Sequence, residues 1–289
     1  MSVLDVLCAG QATFDIVFTV DHHPAEDEKT VAQERLLSGG GPAANAAVTV
    51  SRLGGRSGFI GVLTTDLFGE WHYRELEKEK VNVEGVWRCD GESGISVIIV
   101  KPNGNRSVIH HREPSLLLPP EKIHLEKFSP TVLLTDGHEP LIIEKLLHFS
   151  RDRNIPVVVD AGSYHRGTAA LLGKVAFFIA SGKFSREFTR EEDPWKALEE
   201  MKHAAETVII TLGAEGCIWK SGKESGHIPA EPVEVVDTTG AGDAFHGAFA
   251  YGLSLGYSLE ENLRFATRVA ARCCQRLGAR PGIPTRDDL

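Results

Sequence analysis

The stretch VEVVDTTGAGDAFHGAFA, residues 233–250, decides the fold assignment because it combines a strand, a glycine turn and a helix in direct succession. The β-branched run Val233 to Val236 predicts the strand, and the small residues after Gly240 predict a closely packed helix. The first backbone N–H groups of such a helix have no partner within it and lie at the positive end of its dipole. The turn therefore favours binding of an anion such as a phosphate.

Asp243 stands in the first turn of the same predicted helix, so its carboxylate would lie beside an anion bound at the turn. This arrangement suits phosphoryl transfer, in which a hydroxyl loses its proton while fixed donors stabilise charge on the moving group. Alternatively, Asp243 only caps the helix and the glycines only allow close packing. The turn by itself is compatible with both interpretations.

A second glycine loop, SGGGPAANAA at residues 38–47, also precedes a predicted helix. Pro42 suits the first position of that helix, and Gly54 suits the position just past its end. Asn45 falls in the first turn, where its amide can both donate and accept hydrogen bonds toward a polyhydroxylated ligand. The alternative is a helix that only packs against the sheet, with Asn45 as a cap.

Around these motifs, short β-branched runs alternate with helical segments, which is typical of an α/β fold. Several runs are continuously apolar, as expected when helices cover both faces of a parallel sheet. We therefore predict a three-layer α/β/α sandwich with a mainly parallel central sheet. The predicted strands are Val3–Cys8, Gly58–Leu63, Val132–Thr135, Val157–Asp160, Val175–Ala180 and Val208–Leu212, and the predicted helices between and after them are Phe68–Lys80, Leu141–Arg153, Trp195–Ala205 and Leu259–Leu277.

Two segments, 15–37 and 95–111, do not fit this alternation because they contain strand patterns without crossover helices. The sequence Pro102-Asn103-Gly104-Asn105 predicts a hairpin turn within the second segment. Together they predict a small antiparallel β lid, which would cover a ligand or contact a second copy of the chain. Without repeats, low-complexity tracts or a flexible linker, the chain is expected to form one domain over residues 1–289.

Composition argues against several classes of protein. The chain has 31 Lys and Arg against 40 Asp and Glu, a net charge of −9, which disfavours binding to nucleic acid or anionic lipid. Apolar runs are too short to span a bilayer, and no signal peptide is recognisable, so a cytoplasmic location is expected. Five cysteines without a C-x-x-C pair indicate reduced thiols rather than structural zinc. No P-loop or G-x-S-x-G motif occurs.

The glycine–asparagine loop, the segment Thr211-Leu-Gly-Ala-Glu-Gly216 and the segment Asp237-Thr-Thr-Gly-Ala-Gly-Asp243 together resemble the PfkB, or ribokinase-like, carbohydrate kinases. The likeness extends over nearly the whole chain and is greatest to the ketohexokinase and sulfofructose kinase branches. It implies an α/β sandwich with a β lid that uses ATP to phosphorylate a sugar hydroxyl. It also implies that Asp243 is the base and that the amides of Gly240, Ala241 and Gly242 form the anion hole.

The same resemblance assigns residues to the sugar and to the nucleotide. The implied sugar contacts are Asp15, Gly40, Gly41 and Asn45, together with Asn105 and Arg106 on the lid. Asn and Gly are also the residues expected at a plain hairpin tip, which is the alternative for the last two positions. The implied nucleotide contacts are Thr211, Gly213, Gly216 and Cys274, the last as a wall of the adenine pocket or simply a buried apolar residue.

The implied metal ions are Mg²⁺ and, in some members, K⁺ held by Gly278 to Gly282 and Asp237. However, the N-x-x-E motif that organises magnesium in many members is missing, because this chain has Ala180-Ser-Gly-Lys183-Phe-Ser-Arg-Glu187. Magnesium would then arrive on the phosphates of ATP, and no protein ligand is assigned. Lys183 would supply positive charge near the phosphates or remain in solvent.

The expected function is ATP-dependent phosphorylation of a primary hydroxyl of a small sugar, with a ketose or ketose derivative favoured. A nucleoside kinase of the same superfamily is the first alternative. The missing magnesium motif keeps a catalytically silent metabolite-binding regulator as a second alternative. The pattern Gly39-x-Gly41-x-x-Ala44 suggests a third, a dinucleotide-dependent oxidoreductase, although it does not follow the first strand as that fingerprint requires. A homodimer through the lid is the one protein partner expected.

Overall fold

The computed structural model describes residues 1–289 and contains thirteen strands and nine α-helices. The strands are β1 (Ser2–Ala9), β2 (Thr13–Thr19), β3 (Glu34–Gly40), β4 (Ser57–Thr64), β5 (Asn82–Cys89), β6 (Ile95–Val100), β7 (Arg106–His111), β8 (Phe128–Thr135), β9 (Val157–Ala161), β10 (Phe177–Ser181), β11 (Thr207–Thr211), β12 (Cys217–Ser221) and β13 (Glu224–Ile228). The helices are α1 (Pro42–Arg52), α2 (Leu67–Lys78), α3 (Ile143–Arg153), α4 (Arg166–Leu171), α5 (Gly182–Thr189), α6 (Pro194–Glu200), α7 (Ala241–Ser254), α8 (Leu259–Cys273) and α9 (Ala279–Gly282). Short 3₁₀ turns cover Pro120–Lys122, Leu125–Lys127, Pro140–Ile142, Met201–His203, Gly213–Glu215 and Arg286–Asp288.

The central sheet has nine strands in the order β13-β12-β11-β10-β9-β8-β1-β4-β5. All neighbours from β11 to β5 pair in parallel, and only β12 and β13 are antiparallel. Alternate residues of one strand enter different cores: Val6 and Cys8 of β1 pack with α1, α7 and α8, whereas Leu7 packs on the opposite face with α3. This arrangement confirms the predicted three-layer sandwich with a mainly parallel sheet.

The second sheet, called the lid sheet here, consists of β3, β2, β6 and β7 in that order. Its outer pairs are antiparallel, while β2 and β6 run parallel to each other. These strands come from the two predicted lid segments, 15–37 and 95–111. β2 begins two residues before segment 15–37, and β3 ends three residues after it. Because β2 follows β1 after three residues and β3 leads directly into α1, the lid sheet is attached beside the carboxyl end of β1.

The predicted strand Val233 to Val236 is wrong, because residues 229 to 240 contain neither strand nor helix. Pro229 and Pro232 have no N–H to donate to a neighbouring strand. Val236 N instead donates to the carbonyl oxygen of Cys274 at 2.9 Å. The chain therefore enters α7 from an irregular loop that hydrogen-bonds to the end of α8. The sequence also did not predict β5, β12 and β13.

No helix of the chain combines the length and the apolar character needed to cross a membrane. The five cysteines form no disulfide. The expected cytoplasmic location stays a prediction.

Candidate active site

The amino end of α7 has the geometry that its glycine turn predicts. Gly240 precedes the helix in the left-handed conformation, with φ at +79°, and a Cβ there would lie 2.6 Å from the Cβ of Ala279. Only glycine fits this close approach without strain. The Ala241 amide donates to the carbonyl oxygen of Thr238 at 3.3 Å, a long bond, while Gly242 is exposed with open space above it. The first turn of α7 is therefore reachable by an anion.

Asp243 lies in this first turn and is held by α1. The Nδ2 of the buried Asn45 donates to Asp243 Oδ2 at 2.7 Å. Burial raises the pKa of Asp243, and the Asn45 hydrogen bond, His246 and Arg106 lower it by smaller amounts. Oδ1 of Asp243 makes no hydrogen bond within the protein, so it is free to accept one from a ligand.

The glycine loop before α1 brings β2 and β3 close to the same point. A Cβ at Gly40 would lie 2.1 Å from the carboxylate of Asp15, so only glycine leaves room for that side chain. Gly41 has φ at +92°, and a Cβ there would approach the carbonyl oxygen of Gln11 to 2.6 Å. These two glycines allow the loop to pass directly over the end of β1.

A cavity of 230 Å³, called the lid cavity here, opens between the lid sheet, α1 and α7. It brings together six of the predicted catalytic and sugar-binding residues: Asp15, Gly41, Asn45, Arg106, Gly240 and Asp243. Nine residues that were not predicted also line it: Gln11, Thr13, Pro42, Ser96, Ile98, Val108, His110, Thr239 and Ala279. The remaining predictions lie outside its wall, namely Gly40, Asn105, Ala241 and Gly242.

The lid hairpin contacts the loop that leads into α7. Arg106 Nη1 donates to Thr238 Oγ1 at 2.6 Å, and a Cβ at Gly104 would lie 2.9 Å from the side chain of Val235. Asn105 does not line the lid cavity, and its exposed backbone N–H donates to Asn103 Oδ1 at 3.1 Å. The predicted sugar contact of Asn105 stays a prediction, and its visible role is in the hairpin turn.

Asp15 is the buried carboxylate of the lid cavity, with 5% of its surface exposed. Burial raises its pKa to about 6, while hydrogen bonds from Thr13 and Ser96 and the charge of Arg280 act in the opposite direction. Thr13 Oγ1 donates to its Oδ1 at 3.1 Å. Near neutral pH the carboxylate is therefore available to accept hydrogen bonds from a ligand, at a cost to the stability of the fold.

The raised pKa of Asp15 gives a stability prediction for Asp15→Asn. A pKa raised from 3.8 to about 6 means that the fold loses stability as the pH rises through 6. The two values correspond to at most about 3 kcal/mol, so Asp15→Asn should raise the melting temperature by a few degrees at pH 8. Below pH 4 this gain should vanish. The measurement is thermal unfolding across pH 4–8, with Asp21→Asn on the adjacent exposed loop as control. A lower melting temperature for Asp15→Asn at pH 8 would contradict this account.

Several of the unpredicted wall residues of the lid cavity could have been predicted from the alternation of side chains along a strand. Thr13 lies two positions before Asp15 on β2, and Val108 and His110 lie two and four positions after Arg106 on β7. Side chains two apart on a strand share one face. Ser96 could not be found in this way, because its position beside Asp15 depends on the parallel pairing of β2 with β6.

A second cavity of 390 Å³, called the α5 cavity here, lies at the carboxyl ends of β10 and β11. Thr211 and Gly213, two of the predicted nucleotide contacts, line it together with Lys183 and Arg186 of α5. Gly216 instead packs under the end of β13, where a Cβ would lie 2.0 Å from the carbonyl oxygen of Ile228. Cys274 also lies outside the wall of this cavity. The nucleotide contacts assigned to all four residues stay predictions.

The residues around the α5 cavity do not form a magnesium site. No cluster of His, Cys, Asp and Glu with metal-binding geometry occurs in the chain. Ser181, at the end of β10, uses its hydroxyl to cap α5 by accepting from Phe184 N at 2.9 Å. Glu187 is exposed and lies 3.7 Å from Lys183 Nζ.

Asp237 is buried, and both of its carboxylate oxygens accept hydrogen bonds from the protein. Oδ1 accepts from the backbone and hydroxyl of Thr239, and Oδ2 accepts from Gly278 N at 2.8 Å. Its side chain thus joins the entrance of α7 to the start of α9. The K⁺ site that the family resemblance suggests at these segments stays a prediction.

A buried pair, His246 of α7 and Asp160 of β9, contacts the first turn of α7. His246 Nδ1 lies 2.6 Å from Gly242 O and 3.3 Å from Asp160 Oδ2, and Nε2 lies 3.3 Å from Ile179 O. Burial raises the pKa of Asp160, and the His246 charge partly offsets this effect. No local pattern predicts this pair, since β9 and α7 are distant in the chain.

Known proteins match this chain over nearly its whole length. A model described as "pfkB family carbohydrate kinase" matches residues 3–286. A ribokinase of Lactococcus lactis is 31% identical, with 95% of this chain and 92% of that protein covered. A protein of Arabidopsis thaliana described as "Probable fructokinase-5" is 29% identical, with 88% and 87% covered. The structure of Arabidopsis thaliana ribokinase complexed with ribose and ATP is 25% identical and superposes with a TM-score of 0.84 over 99% of this chain and 97% of that chain.

Proposed function

Because this chain belongs to the pfkB family of carbohydrate kinases, we propose that it transfers the terminal phosphoryl group of ATP to a primary hydroxyl of a small sugar, in the lid cavity. The observation that carries the proposal is the hydrogen bond from Asn45 to Asp243 at the amino end of α7. It fixes one carboxylate oxygen and leaves the other facing a cavity that Asp15 also lines.

In the proposed reaction Asp243 Oδ1 accepts the proton of the sugar hydroxyl, and the hydroxyl oxygen then attacks the terminal phosphorus of ATP. The bond from that phosphorus to the bridging oxygen breaks, and ADP leaves. The amides of Gly240, Ala241 and Gly242 at the start of α7 stabilise the negative charge on the moving group, with that of Ala241 exchanging its long bond to Thr238 for the phosphoryl oxygen. Asp15 and Asn45 hold the sugar so that the hydroxyl approaches in line.

ATP is proposed to extend from the start of α7 into the α5 cavity. Lys183 and Arg186 are the two cations that line this cavity, and Thr211 and Gly213 form its floor at the end of β11. Two cations suit a chain of phosphates. Magnesium is expected to enter bound to the phosphate oxygens, since this ion usually keeps several waters and few protein ligands.

The wall of the lid cavity favours a neutral, hydroxyl-rich sugar. Asp15 and Asp243 face it with carboxylates, and its one arginine, Arg106, already donates to Thr238. An acidic substituent beside two carboxylates would be repelled. The similar proteins include a ribokinase and a protein described as a fructokinase, which supports a pentose or ketohexose as substrate. We favour a ketose or ketose derivative.

A homodimer and bound K⁺ are further proposals with less direct support. β7 forms one edge of the lid sheet, and all of its residues, Arg106 to His111, are exposed. An exposed edge strand offers unpaired backbone groups to a second copy of the chain. Sedimentation analysis would test for the dimer, and comparison of activity in K⁺ and Na⁺ buffers would test for the ion.

The proposed function is tested by a substrate screen that measures release of ADP. Fructose, ribose, other ketoses and acid sugars, and adenosine are each incubated with the protein and MgATP. The proposal predicts turnover with a neutral sugar and little with acid sugars or nucleosides. Turnover with adenosine alone would assign a nucleoside kinase instead. Sugar binding without ADP release would indicate a regulator, and binding of NAD would indicate an oxidoreductase.

A further inference from the structure

Arg280 is a fully buried arginine that the proposed reaction does not use. It lies on the short helix α9, and only 1% of its surface is exposed. It does not line the lid cavity, although its neighbour Ala279 does. Burying a guanidinium is costly unless charges and hydrogen bonds compensate for the lost water. Its surroundings therefore indicate what it does.

The guanidinium contacts three side chains from α1 and α2. Nη1 lies 3.3 Å from Glu75 Oε2, and Nη2 lies 3.2 Å from Asn45 Oδ1 and 3.1 Å from His72 Nε2. The ion pair with Glu75 provides the charge compensation. Gly39 leaves the space for this contact, since a Cβ there would lie 2.3 Å from Nη1.

The contact with Asn45 determines which way its amide points. A guanidinium can only donate hydrogen bonds, so the Asn45 atom that faces Arg280 must be the oxygen. The NH₂ group of Asn45 is then turned toward Asp243, to which it donates at 2.7 Å. Without Arg280, the amide oxygen would lose this donor, and only the Asp243 carboxylate would still favour this orientation of the amide.

We propose that Arg280 is a positioning residue that acts through Asn45 and sets the orientation of the Asp243 carboxylate. The expected effect of Arg280 on turnover rests on the proposed role of Asp243 as the base. Its expected effect on the Asn45 amide does not. The charges that mainly shift the pKa of Asp243 are those of His246 on α7, Arg106 on β7 and Asp136 after β8. The charge of Arg280 is not among them, so its effect must pass through Asn45. Asp160 of β9 and Asp15 of β2 also face this region.

The consequence is a specific change in the titration of Asp243. Donation by Asn45 stabilises the ionised carboxylate and lowers its pKa. Arg280→Met frees the amide to rotate, so the pKa of Asp243 should rise. A hydrogen bond to a charged group corresponds to about one pH unit or somewhat more. The acid limb of kcat/KM should move upward by the same amount, so kcat/KM should fall about tenfold at pH values below the midpoint and change little above it.

The direct test is a ¹³C NMR titration of the Asp243 carboxyl in the ligand-free protein, assigned with the help of Asp243→Asn. Arg280→Met should raise the midpoint by about one pH unit. Arg280→Lys keeps the charge but has a single donor group, so it should give a smaller shift in the same direction and serves if Arg280→Met does not fold. Arg52→Met is the matched control, because it removes a nearby arginine that bonds to the backbone of Arg280 at 2.7 Å and does not contact Asn45.

A double mutant separates positioning from a simple charge effect. If Arg280 acts through the amide, Arg280→Met should have no further effect on Asp243 in an Asn45→Ala background. Full additivity of the two shifts, or an unchanged titration in Arg280→Met and Arg280→Lys, would overturn the inference. Because the titration does not require turnover, it can support the inference even if the substrate screen shows that the proposed kinase function is wrong.

Discussion

Asp243→Asn is expected to lower kcat by about 100-fold or more, because general-base catalysis typically contributes that much. Asparagine keeps the shape of the side chain but cannot take a proton from a hydroxyl. Since Asp243 is half-buried and its carboxylate costs stability when ionised, the variant should fold at least as well as the natural protein. The measurements are steady-state ADP release, calorimetric binding of sugar and ATP, and thermal unfolding.

Asp66→Asn is the matched control for the alternative that Asp243 only caps its helix. Asp66 caps α2, where its carboxylate accepts from Gly69 N at 2.8 Å, and it lies outside both cavities. We expect Asp66→Asn to affect thermal unfolding and to leave kcat near the natural value. If Asp243→Asn behaves in the same way, with near-normal turnover, Asp243 is not the base.

Gly240→Ala is the second substitution with a large expected effect. Its Cβ would lie 2.8 Å from the Cα of Ala279, a backbone atom that cannot move aside without displacing α9. The first turn of α7 must then shift, and with it the amides that are proposed to bind the phosphoryl group. Losing one such donor typically costs about 100- to 1000-fold in turnover. We expect a fall of this size in kcat, measured by ADP release.

Gly256→Ala controls for backbone strain in this experiment. Gly256 also has φ at +79°, but a Cβ there meets nothing within 4 Å. It should cost only the left-handed strain, about 1–2 kcal/mol, and leave kcat unchanged. Equal losses of turnover in the two variants would show that strain, rather than the position of the amides, accounts for the effect at Gly240.

Local patterns in the sequence predicted most of the central sheet and the two glycine loops. Apolar runs such as Val157 to Asp160 form strands wherever helices cover both faces, so the pattern alone is sufficient there. The run Val233 to Val236 failed because it has the composition of a strand but no neighbouring strand to pair with. Two prolines precede it, and its backbone bonds to Cys274 instead.

The candidate site was predictable where a residue's role depends on its own motif. Asp243, Gly240 and Asn45 belong to glycine turns at helix starts, and these turns bring them to the lid cavity. Arg280 and the pair of His246 and Asp160 were not predicted, because their roles depend on contacts between distant elements. Asn45 and Arg280 lie 235 positions apart in the chain, and no local periodicity links them.

The most direct test of the account is a crystal structure of the protein with its sugar and a non-hydrolysable ATP analogue. The account predicts that the primary hydroxyl lies within hydrogen-bond reach, about 2.6–3.2 Å, of Asp243 Oδ1, with the terminal phosphate at the first turn of α7. A sugar whose hydroxyls all lie beyond about 5 Å from Asp243, or a phosphate bound elsewhere, would contradict it.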